Sequence, residues 1–577
     1  MRAKSLCAAT AALVAGLIFV TGGEAATTTT VKLTVNSTAD SSTPCTITAN
    51  HKSAGTCTLR GAILAANAFG QDNTVFVVKL SAKTYHLSLG TLDVSAFTDT
   101  GNLVQIVGAT ARMKKTPASI VDGSANPKPA SVFEVDSPTQ MLNLVVTGGS
   151  GNPNFSCGGA NGCGGGIVLT SALDLQNSIV RNNKACSAWT GKTCTGPYGY
   201  GGGIYMPYAF RHEVLTLSKT TVTHNTAAGG GGIENDDTSH SVILALQSHI
   251  DRNTACATFS HGVCVDYGFG GGLANQGGQV TLEYSTVNGN VAGSPAYGSG
   301  NGGGIYQNYG NMQLDHTTVN GNVAAYQGGG VYDTANVDFV DSTVSQNVSG
   351  AQGGGVYSDL DVSFDRTTVS SNTAGGTFAC TIGATASCAQ TVGKTAGDCA
   401  TLYPSATSCT SSPGFGGGIM SDFSSNAELL SSTITKNLAA SLAGSAPDCS
   451  GGQGGGVFSA WAFTALAGTH FTRNVADCGG GIYDYHDARH GHGETYAFAL
   501  SDSTIAGNTA LEDGGGIWTE GTATGTLYGT KVTGNHAGRT TGGVWDDEVG
   551  SVLIGVGSSV SANVSPDTCK NITWPCR

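Results

Sequence analysis

Charge is what this chain has least of. Asp, Glu, Lys and Arg make up 11% of the 577 residues, and their balance is acidic, with a formal charge of −13. Such a surface neutralises few phosphates, so nucleic acid is excluded as a partner, and it gains nothing at an anionic membrane. Helical spacing of apolar residues is missing from the repeats described below. The cysteines contain no CxxC pair, which argues against a structural zinc site. After Val20 no apolar run approaches the length of a membrane span. Disorder is excluded by the opposite observation: 40% of residues are hydrophobic and they recur regularly.

The N-terminus reads as an address. Arg2 and Lys4 precede a largely apolar run, Ala8 to Val20, and small residues stand at Gly23 and Ala25. That is the layout of a secretory signal peptide over 1–25, which predicts a secreted or cell-surface mature chain without a transmembrane segment. The cysteines agree. Of 17, Cys7 leaves with the signal, and 17 − 1 leaves an even 16. Most stand close to a neighbour, so local pairing predicts Cys45–Cys57, Cys157–Cys163, Cys186–Cys194, Cys256–Cys264, Cys380–Cys388, Cys399–Cys409 and Cys569–Cys576, with Cys449–Cys478 taking the remainder. Each short bridge would stabilise its loop by roughly 2–3 kcal/mol.

Internal repetition dominates what is present. A GGG-apolar block ends at Ile167, Ile204, Ile233, Leu273, Ile305, Val331, Val356, Ile419, Val457, Ile482 and Ile517, with a variant TGGV ending at Val544. Between blocks runs a second phrase, Ser/Thr-x-Val-x-x-Asn-x-Ala. It supplies Asn183, Asn225, Asn253, Asn290, Asn322, Asn347, Asn372, Asn437, Asn474, Asn508, Asn535 and Asn563. The shortest period is 25 residues, from Gly330 to Gly355, and within it apolar residues alternate, as in NVDFVDSTV (336–344). Alternation with Val, Thr, Tyr and Phe means strands. Three short strands and three turns per repeat make one coil of an all-β solenoid, a single right-handed parallel β-helix with coils about 4.8 Å apart. The marked coils and a few before them predict a rod of roughly 70–80 Å. Stacked Asn side chains can hydrogen-bond up and down such a helix, and the glycines suit a tight turn and close backbone approach.

An open β-helix exposes core and unpaired edges at its ends. CTLRGAILAAN (57–67) reads as a short helix lying over the first coil within an N-terminal region, 26–147. The repeat region is 148–565, and PDTCKNITWPCR (566–577) reads as a disulfide-closed hook in which Trp574 covers the core. CTLRGAILAAN is similar to the CSLREA motif at the start of many secreted bacterial β-helix proteins, with Gly61 standing where that family has Glu. The GGGI and VxxN phrases resemble the repeats of polymorphic outer membrane proteins. The resemblance implies an extracellular β-helix, often adhesin-like, within the wider pectin-lyase-like superfamily that also holds polysaccharide lyases and hydrolases. The membrane barrel that often ends such surface proteins has no room in 566–577.

The residue after each GGG-apolar block is Tyr205, Tyr306, Tyr332, Tyr357, Phe458, Tyr483, Trp518 or Trp545. Pointing outward, these rings would align into a stripe able to stack on sugar rings, or merely to stabilise the sheet. The next two positions carry Asn235, Asp236, Asn275, Gln307, Asn308, Asp333, Asp359, Asp422, Asp484, Glu520, Asp546 and Asp547. Stacked carboxylates could hold Ca2+, though no cofactor is required, or work as acid and base on a glycosidic bond. The cysteine-bearing insertions 148–165, 186–200, 256–269 and 375–415 should overhang this face. A second cluster, Asp484, His486, Asp487, His490, His492 and Glu494, joins Asp546 and Asp547 as a candidate catalytic set or loop metal site, against a plain polar loop. Two readings follow: a surface protein binding a polysaccharide, cell-surface glycan or protein, or a polysaccharide lyase or glycoside hydrolase. A purely structural rod is a third. The oligomeric state is left open.

Overall fold

The computed structural model describes residues 28–570, apart from short stretches in turns and insertions, the longest at 389–407, 440–448, 487–496 and 547–551. The expected signal peptide lies outside the described residues. The chain winds as a parallel β-helix. Along one coil it passes through a strand of a 16-stranded first sheet, then a 15-stranded second sheet. A 10-stranded third sheet of mostly two-residue strands follows in the coils that have it. The coil closes in a 15-stranded fourth sheet. In each of these four sheets every strand pairs with its equivalent one coil away. Asn336–Val340 of the first sheet, for instance, runs parallel to Asn311–Asp315 with Val337 opposite Met312 and Phe339 opposite Leu314. The third sheet, just after the ladder Asn, is an addition to the three strands expected from the repeat.

Alternation explains which residues face inward. Val337, Phe339 and Val344 are fully buried, while Asn336 and Asp338 face solvent. Such side chains form one continuous core from Val31 to Val560. Each buried Val, Leu, Ile or Phe contributes about 1.5–3 kcal/mol.

The Asn residues form the expected ladder, unbroken from Asn183 to Asn563. Asn347 is typical. Its Nδ2 donates to Asn372 Oδ1 at 3.0 Å and to Val319 O at 2.9 Å, and its backbone N–H reaches the same Asn372 oxygen at 2.9 Å. Its own Oδ1 accepts from Asn322 N and Nδ2. Each amide is thus fully satisfied inside the turn. A second ladder, of Ser and Thr hydroxyls, runs along the preceding corner: Thr317 N donates to Ser342 Oγ, and Ser342 N to Thr367 Oγ1. The glycine block needs its glycines. A Cβ on Gly330 would lie 2.6 Å from Gly355 O and 2.9 Å from Asn347 Nδ2, and Gly328 has φ +63°.

The N-terminal plug is as read. Helix α1, Leu59–Asn67, is N-capped by the Thr58 side chain, which accepts from Gly61 N. It buries Leu59, Ala62, Ile63 and Ala66 on the first coil. Asn67 mimics a further strand at the edge of the fourth sheet: its Nδ2 donates to Asp93 O, and its Oδ1 accepts from Ser95 N. Arg60 pairs with Asp40 at 2.7 Å and donates to the carbonyls of Gly90 and Thr91. Burial works against charge on Asp40, but Arg60 and the amides of Ser88 and Leu89 outweigh it and hold the carboxyl below its ordinary value. Gly61 is held to glycine by its surroundings. A Cβ there would stand 2.5 Å from Thr43 O and 3.2 Å from Cys45 Sγ.

Disulfides Cys45–Cys57, Cys157–Cys163, Cys186–Cys194, Cys256–Cys264 and Cys449–Cys478 are formed, with Cα–Cα distances of 4.9–6.2 Å. Cys380–Cys388, Cys399–Cys409 and Cys569–Cys576 involve side chains outside the described residues. At the C-terminal end Asp567–Lys570, within the segment expected as a hook, is the last strand of the fourth sheet. Among the described residues no helix is long and apolar enough to cross a membrane.

Candidate functional site

The fourth sheet carries the candidate face. Its three-residue strands start at the apolar residue that follows the glycines, and that residue points into the core. The second position forms the expected row. Tyr306, Tyr332 and Tyr357 stand opposite one another, as do Phe458, Tyr483, Trp518 and Trp545. The rings are stacked nearly parallel: Tyr306–Tyr332 at 5.1 Å, Tyr332–Tyr357 at 5.0 Å, Phe458–Tyr483 at 5.2 Å and Trp518–Trp545 at 5.2 Å. Their faces therefore meet each other, and the ring edges point away from the coil.

Most of the row is also covered. Tyr205 is 1% exposed and Trp518 7%, and Tyr357, Phe458, Tyr483 and Trp545 are buried in a cluster separate from the main core. The insertions supply part of the cover, as expected from their position. Tyr200 and the Cys157–Cys163 bridge pack on Tyr205, Phe269 packs on both Tyr200 and Tyr306, and Phe415 packs on Phe458. Tyr306 and Tyr332 alone among the eight keep partial exposure.

The acidic and amide positions divide into two sets. In a strand the third residue returns to the face of the first. Asn235, Asn275, Gln307, Asp333, Asp484 and Asp546 therefore point inside, and the expectation that they share the outer face is corrected on this ground. Their contacts run along the row: Asn235 Nδ2 donates to Asn275 Oδ1 at 2.6 Å, Asn275 Nδ2 to Gln307 Oε1 at 2.8 Å, Ser358 Oγ to Asp333 Oδ2 at 3.1 Å and Thr519 Oγ1 to Asp546 Oδ1 at 3.2 Å. Burial pushes the Asp333 carboxyl up to about 7.

The fourth position turns outward and is half exposed: Asp236, Gln276, Asn308, Thr334, Asp359, Asp422 and Glu520. These side chains are joined to one another and to the rings. Thr334 Oγ1 donates to Asn308 Oδ1 at 3.1 Å, and Asn308 Nδ2 to Gln276 Oε1 at 3.0 Å. Tyrosine hydroxyls donate to the acid of the next coil: Tyr205 to Asp236 at 3.0 Å, Tyr357 to Asp422 at 2.5 Å, and Tyr483 to Glu520. Burial, followed by these carboxylates, raises the three hydroxyls far above the usual phenol value. Asp359 is raised by burial and then by the Asp422 charge beside it.

The C-terminal catalytic candidates do not line a cleft among the described residues. Asp484 is 0% exposed and Asp546 1%. Both sit in the interior row two coils apart, with Thr519 between them, roughly 10 Å on the coil spacing. His486 ends a fourth-sheet strand. Asp487, His490, His492, Glu494 and Asp547 lie outside the described residues, as does any contact they make.

Three acids of 0% exposure went unread in the sequence. Glu234 replaces an aromatic ring in the row between Tyr205 and Ala274. It is fully buried beneath Tyr200 and Phe269, which raises its carboxyl well above the ordinary range; Oε1 accepts from Gln276 at 3.3 Å and Oε2 has no hydrogen-bond partner among the described residues. Aligning the residue after each glycine block would have exposed it as the one acid in a row of rings. Glu213 and Asp237, also fully buried, lie in irregular corners that carry no repeat signal. Two groups of described residues have ligand atoms close enough for a metal ion. In Cys449, Cys478 and Glu512 the sulfurs are bonded to each other; in Asp315, His316 and Asp341, Arg366 holds both Asp341 oxygens. No protein-family model, curated protein or solved structure matches the chain at a significant level.

Proposed function

We propose that this protein is an extracellular rod that binds an extended polysaccharide along the outward row of the fourth sheet. One observation carries the reading. Asp236, Gln276, Asn308, Thr334, Asp359 and Asp422 present a hydrogen-bonding side chain from six successive coils, beside the two part-exposed rings Tyr306 and Tyr332. A line of donors and acceptors about 4.8 Å apart suits a long ligand rich in hydroxyls, and the disulfide-stapled hairpins wall it on one side. The ring edges, rather than their faces, would meet the sugars. The signal-peptide layout and the likeness of the N-terminal and repeat motifs to secreted CSLREA and polymorphic outer membrane proteins support the extracellular setting.

The test is retention of the oxidised chain, residues 26–577, on a panel of insoluble neutral and acidic polysaccharides. Retention that falls at least about tenfold in Tyr332→Ala and in Asn308→Ala supports the groove, a loss of about 1.4 kcal/mol. Retention on no glycan, or binding indifferent to both substitutions, would sink it. A cleaving version rests on Asp359 and Asp422, adjacent half-buried carboxyls of which Asp359 is raised. New reducing ends or unsaturated products, lost in Asp422→Asn, would turn the binder into a hydrolase or lyase.

A further inference from the structure

The residue just before each glycine block forms a row of its own beside the rings. Phe269, Asn301, Gln327, Gln352 and Phe415 pair from coil to coil in that order. Phe269 packs on Tyr306 at 5.2 Å and Phe415 on Phe458 at 5.6 Å, so side chains of this row reach the ring row. Between the two phenylalanines the row carries three part-exposed amides. The same three coils hold Tyr306, Tyr332 and Tyr357 in the ring row, and Asn308, Thr334 and Asp359 in the outward polar row.

Polar groups are left unspent here and not in the neighbouring coils. Tyr205, Tyr357 and Tyr483 give their hydroxyls to an acid of the next coil. The hydroxyls of Tyr306 and Tyr332 make no hydrogen bond among the described residues. Gln327 Nε2 donates to Gln352 Oε1, which leaves Gln327 Oε1 and Gln352 Nε2 without a partner there. Two phenol hydroxyls, an amide oxygen and an amide nitrogen thus line one trough, with donors and acceptors both represented. A few placed polar groups beside aromatic walls are what fix a small polyhydroxy ligand.

The ends of the trough limit its occupant. Toward the N-terminus, beyond Phe269, the ring row holds the fully buried Glu234 and Tyr205; toward the C-terminus, beyond Phe415, it holds the buried Phe458 and Tyr483. Three coils remain between, about 4.8 Å apart. A hexose unit of an extended glycan advances about as far as one coil, so the trough matches about three units. Charge limits it further. The first two coils offer Asn301, Tyr306, Asn308, Gln327, Tyr332 and Thr334, none of them charged. The third adds Asp359, with Asp422 beside it. A uronate laid along the trough would meet these acids, and like charges repel.

We propose that the trough between Phe269 and Phe415 is the part of the outward face that grips the glycan, and that it takes a segment of about three hexose units from an uncharged chain. The inference rests on the glycan reading above and narrows it to a length and a charge class.

The experiment is calorimetric titration of the full oxidised chain with oligosaccharides of two to six units. The neutral probes are gluco-, manno-, xylo- and N-acetylglucosamine oligomers, and oligogalacturonates serve as the acidic probe. For at least one neutral series, affinity should rise up to three or four units and then level off. Oligogalacturonates of equal length should bind at least about tenfold more weakly. Gln327→Ala should weaken the neutral tetramer at least about tenfold with Tm unchanged. Gln453→Ala, in the same row beyond Phe415, should leave its affinity as it is. Affinity still climbing at six units, or equal losses in Gln327→Ala and Gln453→Ala, would overturn the bounded trough and leave the longer glycan groove standing. Preference for oligogalacturonates would overturn the charge class alone. Retention on an insoluble polysaccharide without binding of any neutral oligomer would overturn the inference but not the glycan reading, whereas binding to no glycan of either kind removes both.

Discussion

At the residue scale, the turns carry the conformational cost of the fold. The residue before each ladder Asn adopts a left-handed conformation whether or not it is glycine: Arg252 has φ 58°, Lys436 φ 57° and Gly321 φ 63°. At Gly321 a Cβ would meet nothing within 4 Å. Gly321→Val should therefore destabilise by strain alone, about 1–2 kcal/mol, readable as a lower Tm with unchanged far-UV circular dichroism. Buried carboxyls make a second residue-scale prediction. Asp333 is pushed up to about 7, by burial. Glu134 is also pushed up to about 7, by burial and then the charges of Asp136 and Asp93. An acid whose folded value lies above its unfolded value holds more protons when folded. Its contribution is fully present below the unfolded value, about 4, and is lost as pH rises to about 7. Asp333→Asn should flatten the fall in stability over that window, up to about 1.4 kcal/mol per pH unit, and leave the protein more stable in alkaline buffer.

At the element scale, the N-terminal cap decides whether the first coil is sealed. Arg60 is central to it, because it neutralises the nearly buried Asp40 and also satisfies two edge carbonyls. Arg60→Ala leaves a buried charge without its partner and should cost about 3–5 kcal/mol. The expected outcome is a marked drop in Tm with ANS binding, as the first coil opens. Gly61→Glu should also destabilise, since Thr43 O occupies the space a Cβ requires. A Gly61→Glu protein as stable as the wild type would show that this contact yields easily.

At the scale of the whole molecule, two layers can be separated. The coil core is continuous, and each strand is held by its neighbours above and below. The disulfide hairpins form an outer layer over the fourth sheet, touching the core coils through Tyr200, Phe269 and Phe415. Mild reduction should leave the far-UV spectrum of the rod largely intact while loosening that layer. Glycan retention should then fall before Tm does. Simultaneous loss of both would mean that the hairpins are integral to the coil.

The sequence by itself determined the coil. Repeated glycine blocks, the Asn phrase and period-two apolar spacing are local patterns repeated often enough to dictate one stacked solution, and the four short-range bridges seen among the described residues followed from spacing. The LRGAILAAN stretch was likewise legible as a cap. Only the tertiary structure decided which polar residues are reachable. A strand of three residues sends its first and third side chains inward, so Asp484 and Asp546 joined the interior although they are as polar as Asp236 or Asp422 outside. It also decided that the aromatic rings lie face to face beneath the insertions. That depends on parallel register, with about 4.8 Å between coils, and on loops folding back over a distant strand. The trough between Phe269 and Phe415 has the same origin: two residues far apart in the chain come to close its ends only when the coils stack.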